Sequence, residues 1–311
     1  MNRRERFEAA VSGGTVDRPP VTAWVHFLSD HLDGEAVAEL HRRFFAAYDW
    51  DFLKVMNDYR YPVPAGVMNL EDPASLRAFR VLGLDEPAFA RQLDCLRSLR
   101  ASLGAPVPLV ETAFDPYQQI MRNVGFDQAP YILEHRREAL AAIETVAQTT
   151  CDYVRAARTA GADALFFSIN GAIREGNPRG VSEEVHRTFQ KPFDLAVLAA
   201  AEGMVRILHV HGAGIDLARI ADYPYDVLSV SDRLAGNPTL ADLRRFTDKC
   251  LMGGIDETKV QERSLPLVAA EIDDAIAQAG RSRLILSPGC TVPSFTPMRT
   301  LSYLREYTRS L

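Results

Sequence analysis

Short apolar runs alternate with longer amphipathic segments along the whole 311-residue chain, and that alternation restricts the fold more than any other feature. Runs of β type lie at 20–26, 51–56, 107–112, 163–168, 204–210, 226–230, 249–252 and 283–286. Helical periodicity occupies 35–48, 85–103, 136–160, 181–201, 214–221, 239–247, 264–279 and 297–309. Such alternation predicts a parallel sheet, because helical crossovers let every strand run the same way and cover the sheet's faces. Eight strand-helix units is the number that closes an α/β (β/α)₈ TIM barrel, and chains of this length commonly form one; a doubly wound open sheet is the alternative. No Gly/Ser-rich or charge-run linker divides the chain, so 1–311 is expected to be a single domain. The connection after the second strand, some fifty residues containing Tyr61-Pro62-Val63-Pro64-Ala65-Gly66, is expected to help form a lid over the active-site face.

Charge and cysteine usage narrow the partners. A net charge of −6 disfavours nucleic acid and anionic membranes, which leaves small molecules. No stretch of about 18 apolar residues is present to span a bilayer. The opening Met1-Asn2-Arg3-Arg4-Glu5-Arg6 leads into a polar amphipathic segment rather than a signal-peptide core. Cys95, Cys151, Cys250 and Cys290 are widely spaced with no C-x-x-C pair, a usage that suits a reducing, cytoplasmic setting.

Polar residues at the C-terminal ends of barrel strands are candidates for the site by position. They are His26; Asn57, Asp58 and Arg60; Glu111 and Asp115; Ser168 and Asn170; His209 and His211; Ser231, Asp232 and Arg233; Asp256; and Cys290. Within this set Val205-Arg206-Ile207-Leu208 ends in His209-Val210-His211-Gly212, and Leu284-Ile285-Leu286 ends in Ser287-Pro288-Gly289-Cys290. Residues two apart on a strand project to one face, so His209 and His211 can point at one atom, and Cys290 supplies a third ligand of the kind zinc prefers with a fourth position left open. Each candidate also has a structural reading: helix cap for Asp256, ion pair or cap for Asp232, solvated loop residue for Asp58 and Arg60. His135 and His186 lie in helical stretches rich in Glu and Arg and are expected to be solvated. Gly212-Ala213-Gly214 lacks the rest of a dinucleotide fingerprint, and there is no P-loop.

Taken in order, Arg4-Glu5-Arg6-Phe7-Glu8-Ala9-Ala10-Val11, Val16-Asp17-Arg18-Pro19-Pro20-Val21, Leu208-His209-Val210-His211-Gly212, Gly253-Gly254-Ile255-Asp256 and Leu286-Ser287-Pro288-Gly289-Cys290 followed by Thr296-Pro297 resemble the uroporphyrinogen decarboxylase superfamily of (β/α)₈ barrels nearly end to end. That superfamily includes porphyrinogen decarboxylases and zinc-dependent methylcobalamin:thiol methyltransferases. The decarboxylases hold a substrate with eight carboxylates through an arginine-rich N-terminal segment, an aspartate facing the pyrrole nitrogens and a histidine near the last strand. This chain has Ala23-Trp24-Val25-His26 in place of the arginine segment and Cys290 where the histidine would fall; Asp58 is the one nearby carboxylate for the pyrrole role.

The methyltransferase branch is similar in the last third, with a His-x-Cys pair at strand five and a cysteine in a Pro-Gly-Cys turn at strand eight. His209 and Cys290 match that pattern, and His211 stands where the first cysteine would be. Exchanging thiolate for imidazole removes one negative charge at the metal, which makes Zn²⁺ a stronger Lewis acid or favours another metal.

The resemblance therefore implies a metal-dependent methyl or alkyl transferase in which Zn²⁺ held by His209, His211 and Cys290 activates a thiol or similar nucleophile. The implied methyl donor is methylcobalamin or a methylated corrinoid on a partner protein, since the chain shows no corrinoid module of its own. Asp232 or Asp256 would orient an imidazole from behind, Asp58 completes the catalytic set, and His26, Asn57, Arg60, Glu111, Ser168 and Asn170 would contact substrate. The resemblance also implies a homodimer. Two readings compete: metal-free decarboxylation of uroporphyrinogen or another polycarboxylate, with arginines such as Arg60 or Arg233 holding carboxylates, and a non-catalytic ligand-binding barrel.

Overall fold

The computed structural model describes residues 1–311. Seven of the expected strands form: β1 Leu53–Val55, β2 Leu109–Phe114, β3 Ala164–Ile169, β4 Val205–Val210, β5 Val227–Val230, β6 Cys250–Ile255 and β7 Leu284–Pro288. They pair in parallel in the order β1-β2-β3-β4-β5-β6-β7. A doubly wound sheet reverses its strand order partway, so this monotonic order rules that alternative out.

The expected strand at 20–26 is replaced by an extended segment with a single bridge, Val21 to Leu286. Pro19 and Pro20 have no N–H to donate, which prevents a full ladder. The segment nevertheless joins the two ends of the sheet. Leu286 N donates to Pro20 O (2.9 Å) and Thr22 N to Leu286 O (3.1 Å), while on the other side Asp51 N donates to Val21 O (3.1 Å) and Thr22 Oγ1 to Phe52 O (3.1 Å). The eight-strand expectation thus becomes seven strands and an extended strap.

Strand periodicity divides the core in two. Phe166, Ile207, Val227, Met252 and Ile285 turn inward and pack with Trp24, and with Phe7 of the N-terminal helix Arg3–Ser12. The alternate residues Phe167, Leu208, Leu228, Leu251 and Leu286 belong to the larger cluster that packs against the surrounding helices. Those helices include Gly34–Tyr48, Pro87–Leu103, Arg136–Thr159, Leu240–Phe246, Leu265–Ala279 and Met298–Arg309, each close to its expected span.

Several segments depart from expectation, among them the short helices Pro73–Arg77 and Ala129–Glu134. The helix expected at 181–201 is broken into Glu183–Val185, a π-helical turn at His186–Gln190 and Lys191–Ala200. Pro192 sits at the start of the last piece and cannot donate the i→i−4 bond, so the preceding turn widens. Of 214–221 only the 3₁₀ turn Leu217–Ile220 forms, capped by Asp216. A helix absent from the sequence reading, Pro116–Val124, follows β2 directly, and Asp115 caps it by accepting from Gln118 N (2.7 Å).

The seam beside the strap rests on a buried carboxylate. Asp51 accepts from Arg6 Nη1 (3.0 Å), Arg18 Nη1 and Nη2 (2.6 and 2.9 Å) and Val21 N (2.8 Å), and Arg305 Nη2 lies 3.7 Å away. Burial opposes its ionisation, but the Arg18 bonds and the surrounding positive charge outweigh that and hold the carboxyl below its ordinary value. Asp51→Ala strands Arg18 in the interior without a counter-charge, while Arg6 keeps its pair with Asp17 (2.6 Å), so urea unfolding should show a loss of about 3–5 kcal/mol. A loss below about 1 kcal/mol would show that the seam does not depend on this carboxylate.

Candidate metal centre

His209 reaches the interior because β4 alternates: Ile207 and His209 face inward and Leu208 outward. Its ring is 1% exposed and stacks on Phe166 at 4.7 Å. Ser229, its register partner on β5, places Oγ 3.1 Å from Nδ1, while Nε2 is buried with no hydrogen-bond partner. His211 follows at the strand end, and its N–H donates to Ile169 O (2.9 Å). Cys290 arrives through the Ser287-Pro288-Gly289 turn at the end of β7. Gly289 is required there by close approach, since a Cβ would stand 2.5 Å from Ser231 Cα.

Three ligand atoms, one from each of His209, His211 and Cys290, lie within 4.8 Å of one another, and Cys290 Sγ is 3.6 Å from His211 Nδ1. In a flat sheet β4 and β7, three steps apart, would be separated by about 14 Å. Only the curl of the sheet brings them together. Zinc bonds of about 2.0–2.3 Å place ligand atoms roughly 3.5 Å apart, so the longest separation has to close by about an ångström. The unpartnered Nε2 of His209 and the N, N, S donor set fit a zinc ion.

Electrostatics favour the ligating protonation states. Desolvation lowers both imidazoles below their ordinary value, helped at His211 by the Arg179 and Arg122 charges and opposed by Glu257. Burial pushes the Cys290 thiol up, but the His209 imidazole and the Thr291 N–H outweigh it and leave the thiol below its ordinary value. Neutral imidazoles and an accessible thiolate are what a metal requires.

The trio opens on a cavity of about 420 Å³, lined also by Trp24, His26, Lys54, Arg60, Ser168 and the helix Pro116–Val124. His26 Nδ1 meets Asp58 Oδ1 at 2.6 Å, and Asp58 also accepts from Phe27 N (3.0 Å) and Ser29 N (3.3 Å). Asp58 thus stands behind His26 rather than in the cavity. Arg60, Arg122 and Arg179 line the cavity, and none has a carboxylate within 4.0 Å. Burial and the charges of Arg60 and Arg179 push the Arg122 guanidinium down.

The remaining candidates lie elsewhere. Glu111 is fully buried and accepts from Tyr153 Oη (2.6 Å), Gln92 Nε2 (3.0 Å) and Asn57 Nδ2 (3.3 Å). Asn170 is buried with both side-chain polar atoms unpartnered. Asp232 accepts from Gly254 N (2.8 Å) and sits 3.5 Å from Arg233, and burial, chiefly, pushes its carboxyl up to about 6. Asp256 accepts from Thr258 N and Oγ1 (2.9 and 2.6 Å) and pairs with Arg263 (3.1 Å). The bond expected from one of these aspartates to a ligating imidazole is made instead by Ser229. Arg233 holds Gly254 O and Asp274 rather than facing the cavity. His186, expected in solvent, is 2% exposed and stacked on Tyr223. His135, partly exposed, approaches Glu71 O through Nε2 at 2.8 Å.

Sequence reasoning missed Ser229, Lys54, Arg122 and Arg179. Lys54 did leave a signal, a charge in the middle of the apolar run Phe52-Leu53-Lys54-Val55-Met56. Ser229 left none, because its role depends on strand register.

The family described as uroporphyrinogen decarboxylase (URO-D) matches residues 54–311. No curated protein sequence matches the chain. Among solved structures, a methyltransferase from Methanosarcina mazei superposes with a TM-score of 0.83 at 19% identity, covering 100% of this chain and 99% of its own. A B12-independent methionine synthase from Shewanella sp. W3-18-1, in complex with selenomethionine, superposes with a TM-score of 0.57 at 15% identity, covering 96% of each chain. At these identities the likeness establishes the fold.

Burial, opposed by the Tyr153 and Gln92 bonds, pushes the Glu111 carboxyl up to about 7 from an ordinary 4.5. The folded state then holds this proton more tightly than the unfolded chain, so the group's contribution to stability falls as pH rises from 4.5 to about 7. Relative to the parent, Glu111→Gln should therefore gain on the order of 1–3 kcal/mol between about pH 5 and about pH 8, read from urea unfolding. An unchanged difference at the two pH values would contradict the raised proton affinity.

Proposed function

Because the chain belongs to the uroporphyrinogen decarboxylase (URO-D) family, we propose that it is an enzyme of that family, a zinc-dependent methyl or alkyl transferase acting on a small nucleophile such as a thiol. The observation that carries this reading is the meeting of His209, His211 and Cys290 with ligand atoms within 4.8 Å and His209 Nε2 unpartnered. Zinc in this set would supply Lewis acidity that lowers the pKa of a substrate thiol, so that the anion exists at neutral pH. With zinc on Nε2, Ser229 Oγ, 3.1 Å from Nδ1, would accept the Nδ1 proton of His209 and hold the Nε2 lone pair on the site. Asp58 holds the His26 ring at the cavity wall. Arg60, Arg122 and Arg179, without carboxylate partners, give the cavity a positive wall suited to an anionic substrate.

The methyl donor in this reading is methylcobalamin or a methylated corrinoid on a partner protein, and the active form a homodimer. The methyltransferase that superposes along the whole chain supports the transfer chemistry. The same three arginines also favour a second reading, metal-free decarboxylation of a carboxylate-rich substrate. Metal content separates the two.

Elemental analysis of untagged protein should find zinc near one per chain, lost in Cys290→Ser, whereas Ser229→Ala should bind zinc about 10–100-fold more weakly. Metal-loaded protein should demethylate methylcobalamin in the presence of small anionic thiols, followed by the cobalamin absorbance, with Cys290→Ser at background. Equal zinc content in parent and Cys290→Ser would sink the transferase reading. Absence of zinc together with carbon dioxide release from polycarboxylates would establish the decarboxylase.

A further inference from the structure

Lys54 is 3% exposed at the floor of the cavity that the metal trio opens on, and no carboxylate lies within 4.0 Å of its ammonium. Three donors need partners. Thr112 Oγ1 accepts one at 2.9 Å, its own proton going to Val55 O, and the weakly accepting Met56 Sδ lies at 3.4 Å. The third has no acceptor. The ammonium also lies 4.3 Å from the Phe166 ring centre and 4.8 Å from that of Trp24, and Phe166 stacks in turn on His209. Two ring faces offset part of the desolvation of a cation without neutralising it. Among ionisable groups the Cys290 thiol exerts the largest field on Lys54, ahead of Glu111 and Asp58, and burial pushes its ammonium down to about 7.

A buried cation left short of a counter-charge is costly, and a purely structural position in β1 would be filled more stably by an apolar side chain. The arrangement is complete only with an anion in the cavity. We infer that Lys54 contacts substrate: its ammonium holds the anionic group of a small molecule, a carboxylate or an anion of similar size, beside Cys290 and His209. The inference rests on the proposed function only in taking this cavity as the reactive site, and it names the substrate as anionic where it meets the floor.

Alkylation of metal-free protein tests it without turnover. Cys95, Cys151 and Cys250 are buried, so Cys290 is the reporter. The Cys290 thiolate attacks the methylene carbon of iodoacetate or iodoacetamide, an S–C bond forms, the C–I bond breaks and iodide leaves. Both reagents use the same thiolate, so the ratio of their rates cancels any change in thiol ionisation and reports the charge that the reagent meets.

Below the Lys54 value of about 7, where the parent carries the charge, Lys54→Met should lower the iodoacetate-to-iodoacetamide ratio about tenfold, the effect of roughly 1.4 kcal/mol of lost attraction, while Lys54→Arg should keep it near the parent value. If Lys54→Met does not fold, as judged by circular dichroism, Lys54→Gln is read in its place. An unchanged ratio in the folded neutral variant would overturn the inference, as would a ratio that falls in Arg122→Leu but not in the Lys54 variants. Protection of Cys290 by added zinc chloride tests the metal reading separately, so either idea can fail alone.

Discussion

The molecule depends most on the charge cluster at Asp51. One buried carboxylate takes hydrogen bonds from Arg6 of the N-terminal helix and from Arg18 and Val21 of the strap, with Arg305 of the last helix close by. These elements come from opposite ends of the chain. Without their common anion, the strap between β7 and the start of β1 would have only a few backbone bonds to hold it, because two prolines deny it a full ladder. Removing one partner of such a cluster is far costlier than the cluster's net contribution to stability, since the other charges are left in a low-dielectric interior.

The curl that this seam secures is what creates the site. His209 and Cys290 stand on strands three steps apart, and only a curved sheet lets their ligand atoms approach within 4.8 Å. Curvature also gathers cations. Lys54 on β1, Arg122 on the helix after β2 and Arg179 after β3 face one cavity from three successive strand-helix connections. No carboxylate pairs with any of them, although the chain carries more acidic than basic residues overall. A protein of net negative charge has thus concentrated positive charge without carboxylate partners around a thiol and two imidazoles, a field that favours anions over cations in the cavity.

Particular residues show what was legible beforehand. His-x-His at a strand end could be read directly, because a period of two puts both rings on one face whatever the rest of the fold does. Cys290 was legible as a strand-end residue, and its partnership with His209 followed once a barrel was expected. Asp232 and Asp256 bond elsewhere than to the imidazoles for a physical reason: a carboxylate near a strand end can equally well bind local backbone, and Asp115 caps the helix after β2, Asp256 closes a turn on the Thr258 N–H and Asp232 binds the Gly254 N–H. Ser229 was invisible because nothing local marks it. It matters only through parallel register with His209, and register is decided by neighbouring strands. The break of the expected 181–201 helix did have a sequence cause in Pro192, whose missing N–H widens the turn before it.

By itself the sequence determined the alternation of strands and helices, that His209 and His211 share one face, and which residues stand at strand ends, because backbone periodicity and the chemistry of proline and glycine act over a few residues. Tertiary structure alone decided that the eighth position is a strap rather than a strand. It also decided that Ser229 and not an aspartate backs His209, and that Lys54 sits unpaired among aromatic rings beside the thiol. Each of these depends on how distant segments share a small, poorly polarisable interior, where a charge or a hydrogen-bonding atom must be satisfied by whatever the fold brings within about 3 Å.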